Sequence, residues 1–477
     1  MNFYFEAAKT LDRLDAKQGS IKGVLATLPE KDRKRTAALV IETLKYKVVL
    51  NEVIKASKLM TEERKLSSRN LALILCHDIL LSKGGIQAGD GPLKQAILRH
   101  KTRLNSEFIR IKIRRGAKSN EELAQVGDAR AAQIPRYVRI NTTMWTTEDA
   151  IKHYESKGFI LSGPFESSKG FAIDQHIPNL LNFSPQTQFQ NDMPYKTGKV
   201  ILQDKASCFP ALVLAPPALE SSVVIDATAA PGNKTSHLSA LMQNKGKLFA
   251  FERDHKRFST LKMMLSKANC RNVEPVNIDF LTVQPNDKTY SAVTHILLDP
   301  SCSGSGIVNR LDHLLENEEE DDTDQTERLT KLSNFQLTMI RHAMKFPRVI
   351  KIVYSTCSIH AMENEHVVRE ALQCAEAQAG GFVLAPQGDV LPAWPRRGLT
   401  EEMHKAEDAL SVIRCSPDHD ATNGFFVSCF VRAAGSQQGI NVTQVKRKMP
   451  DLEGDDSTEV SQTKRAKKAK KKRKGTH

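Results

Sequence analysis

The chain has no uninterrupted apolar run of about 18 residues, the length a membrane-spanning helix needs. Even its richest stretch, residues 71–81, is broken by His77 and Asp78, so no membrane span is expected. It also has no CxxC pair and no zinc-ligand spacing. Its eight cysteines, at 76, 208, 270, 302, 357, 374, 415 and 429, are scattered singly, which argues against a disulfide framework or a metal site and predicts free thiols, mostly buried as small hydrophobes. The start, MNFYFEAAKTLDRLDAK, lacks the basic head, apolar centre and small-residue cleavage site of a secretory signal, so an intracellular protein is expected. Neither GxGxxG nor GxxxxGK(S/T) occurs, which disfavours NAD, FAD, ATP and GTP. Internal repeats are absent as well.

What is present is a basic excess. Lysine and arginine number 69 against 55 acids, a net charge of +14, which favours a polyanionic partner. Half of the excess lies in the tail, where residues 446–477 carry 12 basic and 5 acidic side chains. With 477 residues, 40% hydrophobic and 26% charged, the chain reads as two or three soluble domains.

Residues 1–130 show apolar positions three and four apart and are expected to form a helical domain. Its basic stretch 99–118 (RHKTRLNSEFIRIKIRRGAK) reads either as a solvated helix face or as a contact for nucleic-acid phosphates. Residues 131–205 change to short runs with turn signals, a small α/β module. Residues 206–434 alternate apolar strands with helices, the pattern of right-handed βαβ units on a parallel sheet. The acid-rich run 316–327 (ENEEEDDTDQTE) reads as a solvated loop. Residues 435–477, ending in KRAKKAKKKRK, read as a disordered basic tail.

The first strand of the large sheet runs into Asp226 and the turn Thr228, Ala229, Ala230, Pro231, Gly232, Asn233, Lys234, where open α/β sheets bind ligands. Glu252 ends the second strand and can accept from ribose hydroxyls; Asp279 ends the third and can accept from an adenine amino group. Three acids at successive strand ends, without a pyrophosphate-binding pattern, fit a nucleoside cofactor such as S-adenosyl-L-methionine, whose cationic methionyl end suits Asp226. The fourth strand delivers Asp299 and Cys302 (DPSCSGSG) and the fifth delivers Cys357 (YSTCS), both among small polar residues at the same sheet edge. Methylating C5 of cytosine requires a thiolate to add to C6 first, because that carbon is otherwise a poor nucleophile. Asp299 is placed to handle charge developing at N3, and a second thiol can assist proton removal or release. Chemistry alone does not divide these roles between the two cysteines.

Through PRYVRIN (135–141), LQDKAS, DATAAPGNKTSHL, LLDPSCSGSG, YSTCSIHAMENEHVV and NGFF, the chain resembles the Sun (Fmu-like, NSUN) family of RNA cytosine-C5 methyltransferases over residues 135–432. DPSCSGSG in place of DAPCSG, together with AKQGSIKG and LPAWPRRGL, is similar to its fifth member, a large-subunit rRNA methyltransferase. The resemblance implies a Rossmann-like class I S-adenosylmethionine-dependent methyltransferase sheet, with a helical N-terminal domain and a small α/β RNA-binding module. It implies cofactor contacts at Thr228 to Lys234, Glu252, Arg257, Asp279 and Asp299. It also implies Cys357 as nucleophile and Cys302 as the thiol aiding release. Lys205 is a candidate RNA contact. Arg139 and Asn141 either touch RNA or orient the small module, and Phe425 and Phe426 read as core. The expected partners are large-subunit rRNA or pre-ribosomal particles, met by a monomer in the nucleus and nucleolus. Two alternatives stand beside this: a non-catalytic RNA-binding ribosome-assembly factor, and a tRNA C5 methyltransferase.

Overall fold

The protein is described here by a computed structural model covering residues 2–66, 68–125, 127–308, 311–315 and 322–433. The expected basic tail and the first part of the acidic run lie outside these residues.

The N-terminal part is helical, and its amphipathic periodicity buries one face of each helix around Leu11, Leu44, Leu50, Ile74 and Phe108. The helices Asn2–Asp15, Arg33–Lys45, Lys47–Ala56, Arg69–Leu80 and Lys101–Arg114 supply most of this core. Ser68 caps the helix Arg69–Leu80 by accepting from the Leu71 N–H. Four of the eight lysines and arginines in the basic stretch 99–118 pair with acids from elsewhere. Arg103 pairs with Glu62 at 2.6 Å, Arg99 with Glu63 at 2.5 Å, and Arg114 and Arg115 both pair with Glu52. This favours the solvated-face reading over a phosphate contact.

A five-stranded sheet follows, built from β1 (Arg136–Ile140), β2 (Ile160–Leu161), β3 (Gly170–Ile173), β4 (Leu180–Phe183) and β5 (Val200–Leu202), in the order β2-β3-β4-β1-β5. The larger sheet comprises β6 (Val223–Asp226), β7 (Lys247–Phe251), β8 (Val273–Val276), β9 (His295–Leu298), β10 (Lys351–Thr356), β11 (Phe382–Leu384), β12 (Ile413–Cys415) and β13 (Phe425–Arg432). Its order is β11-β13-β10-β9-β6-β7-β8, with β12 paired to β13. The run β10-β9-β6-β7-β8 is parallel, whereas β13 is antiparallel to its neighbours. This is a Rossmann-like sheet with an antiparallel strand, β13, inserted beside β10. The strand order reverses between β6 and β9, and that switch point opens a crevice at the carboxyl ends of the strands.

The acidic run is corrected in part. From Asp322 it is the start of the helix Asp322–Met344 rather than loop. Acidic side chains are favoured in first turns by the helix dipole, and Glu327 pairs with Lys331 one turn on, at 2.6 Å. Among the described residues no helix is long and apolar enough to cross a membrane, and no group of three or more potential ligands gathers as a metal site.

Candidate active site

The crevice is organised by the turn after β6. Asp226 is buried, accepting from the Thr235 hydroxyl at 2.7 Å and from the Thr228 N–H at 3.4 Å. Gly232 has a left-handed φ of +112°, and a Cβ there would meet Leu261 Cδ1 at 3.2 Å, so only glycine brings the turn this close to the helix His255–Lys267. The helix Asn233–Leu241 begins immediately afterwards. Arg257 ties the turn down, donating to the Ala230 carbonyl at 2.8 Å and lying 3.4 Å from Glu252 Oε2.

Glu252 directly follows β7, and its Oε1 accepts from the Asp254 N–H. A carboxylate offers about four acceptor positions, so room for ribose hydroxyls remains. Asp279 follows β8, with Oδ1 accepting from the Leu281 N–H at 3.0 Å and Oδ2 facing Arg253 at 3.3 Å. Beside them a cleft of about 540 Å3 is lined in part by Arg253, Ser301, Leu332 and Phe335. The glycine turn and the acids at successive strand ends fit a nucleoside cofactor.

The two expected thiols meet here. Cys302 Sγ and Cys357 Sγ are 3.1 Å apart, although 55 residues separate them in sequence. Asp299 is fixed on both carboxylate oxygens, by Lys234 Nζ at 2.6 Å and by the Ser355 hydroxyl at 2.7 Å, and its own N–H donates to the Thr228 hydroxyl. Lys234, expected among the cofactor contacts, therefore reaches across to Asp299, and its ammonium stands over the Phe425 ring. Burial acts most strongly against that ammonium, but the charge and hydrogen bond of Asp299, with the charges of Cys357 and Asp226, together outweigh it and raise its pKa, so Lys234 stays protonated. The Cys357 thiol is lowered, first by its hydrogen bond with Cys302 and also by Lys234, against burial and the Asp299 charge. The same hydrogen bond, followed by burial and nearby negative charge, raises Cys302. Cys357 is thereby the more acidic thiol of the pair.

Two loops hold this pair in register. Gly306 N–H donates to the Cys357 carbonyl and Gly306 C=O accepts from the Gly424 N–H, joining the two thiol loops to the NGFF segment. The buried tripeptide Glu363-Asn364-Glu365 divides its contacts. Glu363 accepts from the Ser303 N–H, Asn364 donates to the Ser358 carbonyl, and Glu365 forms a paired salt bridge with Arg414 on β12. In sequence these three residues stand in the block YSTCSIHAMENEHVV but carry no assigned role; the signal was their place just after the second cysteine within that block.

Of the three candidate RNA contacts, Arg139 and Asn141 take the alternative reading, orienting the small module, and Lys205 is corrected. Arg139 is 1% exposed and joins β1 to the cofactor turn, donating to Gln203, to the Asn233 carbonyl and to the Ser236 hydroxyl. Asn141 is also buried, donating to the Gly198 and Ala268 carbonyls. Both orient the small module against the catalytic sheet. Lys205 is not offered to phosphate either, because it is buried in an ion pair with Asp174 at 2.8 Å, near His176 and the Trp394 ring. Phe425 and Phe426 are buried, as expected.

Family models match the chain in three consecutive segments: residues 34–124 as the N-terminal domain of NOL1/NOP2/Sun domain family member 5, 134–203 as that member's ferredoxin-like domain, and 211–431 as 16S rRNA methyltransferase RsmB/F. The chain is 45% identical to the 25S rRNA (cytosine-C(5))-methyltransferase rcm1 of Schizosaccharomyces pombe over 90% of its own length and 91% of that protein. It is 43% identical to the 28S rRNA (cytosine-C(5))-methyltransferase of Mus musculus, covering 91% of each. A solved methyltransferase homolog protein from Pyrococcus horikoshii shares the fold, with a TM-score of 0.50 at 21% identity over 79% of this chain and 99% of that one. With the sheet, the crevice and the paired thiols in place, these likenesses make the chain a member of the NOL1/NOP2/Sun family of rRNA methyltransferases, in its fifth-member branch.

Proposed function

We propose that the protein methylates C5 of a cytosine in large-subunit rRNA, with S-adenosyl-L-methionine as donor and Cys357 as covalent nucleophile. The observation that carries the reading is the 3.1 Å approach of Cys302 and Cys357 beside the Lys234–Asp299 pair, on the edge that also bears the cofactor turn. Thr228, Ala229, Ala230, Pro231, Gly232 and Asn233 would hold the methionyl end, Glu252 the ribose and Asp279 the adenine, with Arg257 bracing the turn. When bound, the cofactor supplies an electrophilic methyl group.

The Cys357 thiolate adds to C6 of the cytosine, and the electron pair of the C5–C6 double bond moves onto the ring. Lys234, an ammonium paired with Asp299 whose charge also favours the Cys357 thiolate, suits the negative charge that develops around N3 and O2. This revises the role of Asp299, which acts by holding Lys234 rather than as a free acid. After methyl transfer C5 is saturated and must lose its proton. Solvent water takes that proton, the C5–H electron pair re-forms the C5–C6 double bond, and the Cys357 thiolate leaves, assisted by a hydrogen bond from the Cys302 thiol 3.1 Å away, which restores the aromatic ring. The target base must leave its stack to reach this edge, which favours RNA opened within a pre-ribosomal particle. The lysine tract of residues 464–474 supports a nuclear and nucleolar location, where such particles form.

Methyl transfer from labelled cofactor to large-subunit rRNA tests the reading. Loss of transfer in Cys357→Ala, with a denaturation-resistant protein–RNA adduct in Cys302→Ala, is expected. Full turnover by Cys357→Ala would sink it, and an adduct trapped in that variant would reverse the two roles.

A further inference from the structure

Behind the Cys302 loop lies a polar cluster with no exposure to solvent, made of Glu363, Gln336 and Tyr354. Gln336 comes from the helix Asp322–Met344, Tyr354 from β10, and Glu363 from the single turn Ala361–Glu363. Burying a carboxylate is unfavourable unless its bonds are made inside, so a carboxylate at 0% exposure calls for an account of its contacts. Glu363 Oε1 accepts from the Ser303 N–H and from Gln336 Nε2, both at 2.9 Å. Gln336 Nε2 also donates to the Ser301 carbonyl at 3.1 Å. The two residues therefore grip the main chain on both sides of Cys302. The Tyr354 hydroxyl completes the cluster, 2.9 Å from Gln336 Oε1 and 2.5 Å from the Glu363 carbonyl. Glu363 Oε2 is buried without any protein partner, so its charge is only half satisfied within the cluster.

We propose that Glu363, seated on Gln336 and Tyr354, is a positioning residue that holds Cys302 against Cys357 and disfavours a thiolate on Cys302 relative to Cys357. The inference rests on the reading of Cys357 as the attacking thiolate. A negative charge behind one thiol of a pair disfavours ionisation of that thiol more than of its neighbour. Lys234 on the helix Asn233–Leu241 faces the pair from the Cys357 side and favours the thiolate there; Asp299 disfavours ionisation of both. Glu363 acts on Cys302 and supplies the asymmetry from behind. The electrostatic contributions to Cys302 agree with that geometry, since Glu363 is among the charges that raise it.

Site-resolved alkylation reads which thiol of the pair ionises. The full-length protein is treated with limiting iodoacetamide between pH 6 and 9, and the peptides bearing Cys302 and Cys357 are quantified by mass spectrometry for wild type, Glu363→Gln and Glu363→Asp. Wild type is expected to label at Cys357. Glu363→Gln keeps the shape and removes the charge, so the ratio of Cys302 to Cys357 label should rise by about tenfold, the ratio set by one pKa unit of differential stabilisation. Glu363→Asp draws the carboxylate back and should shift the label the same way by less. Thermal unfolding and cofactor binding identify which variant is folded, and an unchanged label distribution in a folded variant overturns the proposal. Labelling of wild type at Cys302 is a different failure, because it removes the covalent reading on which the proposal rests.

Discussion

Asp226 is 1% exposed, and burial pushes its carboxyl up to about 6, partly offset by the Thr235 hydroxyl and increased by the Asp299 charge. In the unfolded chain an aspartate titrates near pH 4. The folded value is the higher one, so the group lowers stability once it is ionised in both states. That penalty is roughly 3 kcal/mol above pH about 6, shrinks as the pH falls, and is gone below about 4. Asp226→Asn is therefore expected to unfold at no lower temperature than wild type near pH 7. Its cofactor affinity should fall by about tenfold, because a charged acceptor that organises the turn is lost. Thermal denaturation and titration calorimetry check both halves; unchanged affinity would detach Asp226 from cofactor binding. At this scale the strand-end acids and both cysteines were legible, since each closes an apolar run at a fixed phase of the βαβ pattern. The fates of Arg139, Asn141 and Lys205 were not. Whether a long polar side chain reaches solvent or a buried partner depends on what packs over it, and Lys205 finds Asp174 from a different strand connection.

Segments interlock through two glycines. A Cβ on Gly424 would lie 2.8 Å from Gly306 Cα and 2.7 Å from Ile359 Cγ2, and one on Gly306 would run into the Gly424 carbonyl. Gly306→Ala should therefore force apart the loops bearing Cys302 and Cys357. A stability loss of roughly 1–3 kcal/mol is expected from overpacking. The larger effect should be on turnover, with at least a tenfold fall from misplaced reacting groups. Chemical denaturation and single-turnover methyl transfer separate the two, and a variant with wild-type turnover would rule out this contact as what sets the thiols' register. The glycines could be read as a flexible polar loop after the first cysteine, but their partner across the sheet could not. The basic helix Lys101–Arg114 makes the same point in reverse: its cations look available in sequence, and the acids that neutralise them stand on helices dozens of residues earlier.

Across the molecule, the N-terminal helices and the catalytic sheet share a seam. Leu314, just after the Cys302 loop, is buried in the helical core, with Leu311 and Leu315 packed against it. Leu314→Ala should lower stability by roughly 2–4 kcal/mol, the usual cost of removing a buried leucine side chain. Amide exchange of residues 301–308 should quicken together with that of the N-terminal helices; unaltered exchange in the loop would mean that the helical core does not brace it. The sequence by itself determined the parallel sheet, the helical N-terminal part, the cofactor turn and the arrival of two cysteines at one edge, because hydrophobic periodicity and turn chemistry are local and repeat within a few residues. Only the tertiary structure decided that the two sulfurs come within 3.1 Å, that Lys234 turns to Asp299, and that Glu363 and Gln336 grip the Cys302 loop from behind. Those are contacts between side chains tens of residues apart, and their distance, burial and charge balance exist only once the strands are laid side by side.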